Sequence, residues 1–98
     1  MMSKKDEIDI KKIATEQFPN TILIDGYDKA ILGLTIRKPN ITNIIYSMHK
    51  IITILMQRDC MEYDEAIEFF NYNIKPLENV GDTTSPIFFD DRPHFSLN

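Results

Sequence analysis

The stretch from Ser47 to Ile74 constrains this chain more than any other. It holds two segments with apolar residues at helical spacing, separated only by Asp59-Cys60-Met61. In the first, Met48, Ile51, Ile52 and Leu55 recur at i, i+3, i+4 and i+7, which places them on one face of an α-helix. Ser47 stands at the N-cap, where its hydroxyl oxygen is suited to accept from a free N–H of the first turn. Ile54 and Met56 lie off that face, so this helix is apolar over more than half its girth and needs cover on two sides. In the second, Tyr63, Ala66, Ile67, Phe70 and Ile74 repeat the spacing. Asp64, Glu65 and Glu68 come early in it, where negative charge complements the helix dipole. Glu62 takes the N-cap position in place of the better Ser, Thr, Asp or Asn. Pro76 is expected to stop the helix and push Lys75 toward extended backbone.

So short a break folds the two helices back as an antiparallel or steeply crossed pair. Their surplus apolar positions then need a second surface. A sheet from the same chain supplies one. A partner subunit covering the off-stripe residues Met56, Phe69 or Tyr72 supplies another.

The first half of the chain supplies strands. Thr21-Ile22-Leu23-Ile24-Asp25 is a β-branched run that ends in turn chemistry, Asp25-Gly26-Tyr27-Asp28-Lys29. Residues 30–37 alternate; Ala30, Leu32, Leu34 and Ile36 are expected to face the helices, and Gly33 marks a bulge or a close backbone approach. After the turn Lys38-Pro39-Asn40, residues 41–46 form a further strand with Ile44 and Tyr46 on one side and Ile45 on the other. Short turns imply an antiparallel meander. Pro86-Ile87-Phe88-Phe89 reads as a last strand at an edge, because Pro86 cannot donate to a ladder. Ile10, Ile13, Ala14 and Phe18 form a short helical stripe before all of this, ended by Pro19.

The order helix, three strands, two helices, strand predicts an α+β fold. It is a two-layer sandwich, with an antiparallel sheet of three to four strands and a helical pair on one face. Residues 1–5 are expected to fray, 6–89 to form one domain, and 90–98 to form a tail that is either disordered or strapped across a neighbour.

Composition narrows the function classes. Fifteen acids against eleven bases leave a net charge of −4, which argues against a general nucleic-acid binder. The single cysteine, Cys60, excludes an internal disulfide. No apolar run approaches ~18 residues, so no membrane span is expected. The polar start of the chain has no leader-like pattern, and a cytoplasmic setting follows as the expectation.

Several segments resemble a family of small uncharacterised phage and prophage proteins. They are the turn Asp25-Gly26-Tyr27-Asp28, the strand Ala30-Ile31-Leu32-Gly33, the strand end Tyr46 and the helix Ile54-Leu55-Met56. The helix Glu65 to Phe70 with Tyr72-Asn73, and the closing Gly81-Asp82-Thr83 before Pro86-Ile87-Phe88, complete the pattern. The resemblance spans Thr21 to Phe89. It departs at Lys75-Pro76-Leu77, where small residues are usual, and at Ser85, which widens the Thr-Pro step. It implies a phage-like origin and carries no assigned activity.

No segment has the specificity of a phosphate-binding loop, a metal-ligand set or a catalytic triad, and no cofactor or metal is expected. Asp25, Tyr27 and Asp28 group two carboxylates and a phenol at one turn, which suits either a hard cation or, more simply, self-capped turn chemistry. Gly81, Thr83 and Thr84 belong to a hydroxyl-rich loop able to cradle a polar ligand, although no Lys or Arg follows it. With Asn73, these residues form the expected ligand site; Met56, Phe69 and Tyr72 form the expected interface. Cys60 reads as a small buried filler, His49 as a partly exposed helical histidine, and His94 lies in the tail.

The expected function is binding rather than turnover: a small phage-type accessory protein and homo-oligomer that engages a host protein or a small ligand. One alternative is a sequestering protein for a nucleotide-like anion, with a basic pocket built from Lys29, Arg37 and Arg58. Another is a small hydrolase using Asp28, His49 or Cys60.

Overall fold

The computed structural model describes residues 9–38, 41–79 and 82–93. Helix α1 spans Ile10–Gln17, strand β1 Ile31–Lys38, strand β2 Ile41–Ser47, helix α2 Met48–Arg58, helix α3 Tyr63–Phe69 and strand β3 Ile87–Phe89. The fold is α+β, with the helices set against a three-stranded sheet of order β1-β2-β3.

The helical pair forms as its spacing predicts. Met48, Ile51, Ile52 and Leu55 are all buried, as are Ala66, Phe70 and Ile74. The Ser47 hydroxyl accepts from the Lys50 N–H at 3.0 Å, as an N-cap should. Glu62 caps α3 better than its residue type suggests, because its own N–H donates to Glu65 Oε1 at 3.0 Å in a capping box. Tyr63, by contrast, is half exposed rather than part of the core stripe.

Pro76 does not stop the helical path, and Lys75 is helical (φ −56°, ψ −37°) rather than extended. Phe70–Ile74 form a π turn, and Lys75–Asn79 a 3-10 turn. Pro76 falls in the first turn of this new segment, where its missing N–H costs little. The π turn also has a packing role. Residues four apart drift about 40° around an α-helix, and the wider turn reverses the drift. Ala66, Phe70 and Ile74 therefore all stay buried.

The sheet differs from a meander. β1 and β2 pair antiparallel, whereas β3 pairs parallel to β2 through Ile45–Ile87, Tyr46–Phe88 and Ser47–Phe89. A parallel neighbour needs a long crossover, and α2 and α3 provide it. β3 lies at the sheet edge, as Pro86 requires. Phe88 points inward, its ring 5.2 Å from that of Phe70 in an edge-on contact and 6.1 Å from that of Tyr46.

Thr21 to Ile24 is not a strand. Its N–H groups go elsewhere: Ile22 donates to the Thr84 carbonyl at 3.4 Å, and Ile24 to the buried Tyr46 phenol oxygen at 2.8 Å. The facing set expected for β1 also changes. Ile31 pairs with Tyr46 and Gly33 with Ile45, so Leu32 is an extra residue in a bulge beside Gly33. Ile31 and Leu34 pack on the core, while Leu32 and Ile36 are exposed.

Candidate functional site

The turn at residues 25–28 is locked to the end of α2. Gly26 has φ +92°, and a Cβ there would meet an Arg58 nitrogen at 3.3 Å; both facts favour glycine. Arg58 donates to the Gly26 carbonyl (2.9 Å) and the Tyr27 phenol (3.3 Å), and by Nε and Nη2 to the Asp59 carboxylate (3.1 and 2.9 Å). Its guanidinium also lies 5.0 Å from the Tyr27 ring centroid. These contacts, Asp59 first, raise its pKa and lower that of Asp59. Asp28 is paired with Lys11 at 2.8 Å, which raises the lysine's pKa.

Gly26, Asp28, Lys29, Ile54, Gln57 and Arg58 line a groove of about 430 Å³. Lys29 and Arg58 thus come together, as the basic-pocket reading requires. The side chain of Arg37 lies outside the described residues. Most of Arg58's donors are already occupied, and Lys29 has no ion-pair partner among the described residues.

Of the other expected ligand residues, Asp25 and Tyr27 flank this groove in the same turn without lining it, and Asn73, Thr83 and Thr84 line none of it. Asp25 is exposed at the turn, whereas Tyr27 is buried. The loop at Thr83 and Thr84 is held against β2, where Asn43 Nδ2 donates to the carbonyls of Thr83 (2.8 Å) and Ser85 (2.7 Å). Gly81 lies outside the described residues. Asn73 is exposed, and its amide donates to the Phe69 carbonyl at 3.3 Å. It lines a different groove, on α3.

Cys60 is exposed rather than a buried filler, and holds the left-handed backbone (φ +58°) that turns the chain out of α2. His49 sits in the first turn of α2 and Cys60 beyond its last, so they are separated by about 16 Å of helix. His49 and Cys60 therefore do not share one site. No group of three or more His, Cys, Asp or Glu able to hold a metal occurs among the described residues. No helix there is long and apolar enough to cross a membrane.

Of the tail, residues 90–93 are described, and Asp91 is bonded to the start of α2; His94 lies outside the described residues. Asp91 accepts from the Ser47 hydroxyl (2.6 Å) and the His49 N–H (2.9 Å) at the start of α2. Sequence reasoning missed this contact, and Asn43 with it. A polar side chain inside an apolar strand was the available signal for Asn43; Asp91 had none.

The α3 face holds the second groove, about 390 Å³, lined by Met61, Glu65, Glu68, Phe69, Tyr72 and Asn73. Tyr72 is 76% exposed and Met56, on α2, 38% exposed, while Phe69 is partly buried against the core. Two of the three expected interface residues, Phe69 and Tyr72, thus share one groove.

Comparison with known proteins returns no matching family model, no matching curated protein and no matching solved structure.

Proposed function

We propose that this chain is a non-catalytic binding module that docks another protein through its α3 face. The observation that carries this reading is Tyr72, an aromatic ring 76% exposed beside Phe69 in an open groove. A ring left in water at a groove beside a second aromatic gains apolar burial only when a partner arrives. The separation of His49 from Cys60 by the length of α2 supports binding over turnover. Assignment to a phage-type accessory protein draws on the sequence resemblance alone. Sequestration of an anion is the weaker reading, because Asp59 and Asp28 oppose the positive charge in the groove of Lys29 and Arg58.

Tyr72→Ala tests the docking reading. So exposed a side chain contributes little to folding, and the change in stability should stay within about 0.5 kcal/mol. Native mass spectrometry of protein isolated from the cell that expresses it reports subunit number and any retained partner. The wild type should retain a protein partner that Tyr72→Ala loses while its circular dichroism and melting stay unchanged. Equal retention by both, or by neither, removes the reading.

A further inference from the structure

We infer that the partner of the α3 face is a cationic, amphipathic segment presenting Lys or Arg around an apolar anchor. The inference rests on the docking reading and adds the chemistry of the partner. From Asp59 to Ile74 the sequence holds five acids and no base, more negative charge than the net −4 of the whole chain. Of these five, Asp59 is paired with Arg58; the other described ion pairs, Lys11 with Asp28, Lys75 with Glu78 and Arg92 with Asp90, involve none of the remaining four. Glu62, Asp64, Glu65 and Glu68 are exposed and have no ion-pair partner among the described residues.

The groove itself combines two carboxylates, two aromatic rings, a thioether and an amide, with no base. A guanidinium or ammonium finds charge-assisted hydrogen bonds at Glu65 and Glu68 and a ring face at Tyr72 or Phe69. An apolar side chain finds Phe69 and Met61. The sign of the field disfavours the other occupants. Nucleic acid and anionic membranes would bring phosphates against unpaired carboxylates. A second copy meeting this face by two-fold symmetry would bring the same four carboxylates. The lack of a metal-holding cluster among the described residues argues against a small divalent cation.

The test titrates the isotope-labelled full chain with three short synthetic peptides sharing one leucine pattern: Leu/Lys, Leu/Gln and Leu/Glu. The Leu/Lys peptide should shift the amide resonances of Glu65 to Asn73, and more weakly as salt rises. Leu/Glu should leave them unmoved. The double variant Glu65→Gln, Glu68→Gln keeps an acceptor for the Glu62 N–H and should bind Leu/Lys roughly tenfold more weakly. Asp25→Asn, at the exposed turn, should bind it as the wild type does.

Equal affinity for Leu/Gln and Leu/Lys overturns the cationic partner and leaves docking intact. Leu/Lys shifts spread over the whole acidic surface, with Asp25→Asn as damaging as the Gln pair, overturn it as unspecific charge attraction. No shift at the face with any peptide overturns it too, and the Tyr72→Ala comparison then decides the docking reading separately.

Discussion

Tyr46 shows how one side chain replaces a missing piece of sheet. It is fully buried, and its phenol oxygen accepts the Ile24 N–H at 2.8 Å. Burial pushes the phenol pKa up, opposed by that N–H. Tyr46→Phe keeps the ring against Phe88 but leaves the Ile24 N–H buried without an acceptor, which costs about 1–3 kcal/mol. Urea unfolding should show a lower midpoint with an unchanged slope, the midpoint shift times that slope giving the loss, and the Ile24 amide should exchange faster. An unchanged midpoint would mean that water or another acceptor takes over. That Tyr46 shares a face with Ile44 was legible from alternation along β2. Its partner was not, since Thr21 to Ile24 has strand-forming residues and only the tertiary arrangement diverts their N–H groups.

Among the elements, what is local was legible and what is long-range was not. The faces of α2 and α3 follow from spacing within a dozen residues, and their core residues were recoverable from the sequence. The parallel placement of β3 was hidden because it depends on contacts across some forty residues. Asn43 makes one such contact: it fastens the 82–85 loop to β2, with its amide also accepting from the Thr35 hydroxyl at 3.1 Å. Asn43→Asp keeps the shape and removes both donors, setting a carboxylate against the Thr83 and Ser85 carbonyls. Stability should fall by about 2–4 kcal/mol at neutral pH. The deficit should narrow in acid, where protonation returns a donor. Calorimetry at neutral and acid pH reads both effects; a variant as stable as the wild type would show that Asn43 does not fasten this loop.

On the scale of the molecule, the candidate site was half legible. Phe69 and Tyr72 stood out as aromatics off the core stripe, and the acids beside them were visible in the sequence. The convergence expected of the 25–28 turn, Asn73 and the 81–85 loop depended on topology, and Asp28, Asn73 and Ser85 line three different grooves. The end of the described chain closes the same architecture from the other side. Asp91 joins β3 to the start of α2, 44 residues earlier in sequence. Burial alone would raise its carboxyl pKa, but the Ser47 hydroxyl and the His49 N–H outweigh burial and hold it below the usual range. A carboxyl depressed in the folded state stabilises fully above its unfolded pKa, about 3.9. That contribution drains away as the pH falls through the lower folded value. Asp91→Ala should therefore cost about 1 kcal/mol at neutral pH, the scale of a lost helix cap. The gap from wild type should stay constant above the unfolded pKa and close as the pH falls through the lower folded one. Denaturant titrations of both proteins across that range decide it: a gap that persists undiminished in strong acid would mean that Asp91 contributes by packing rather than by charge.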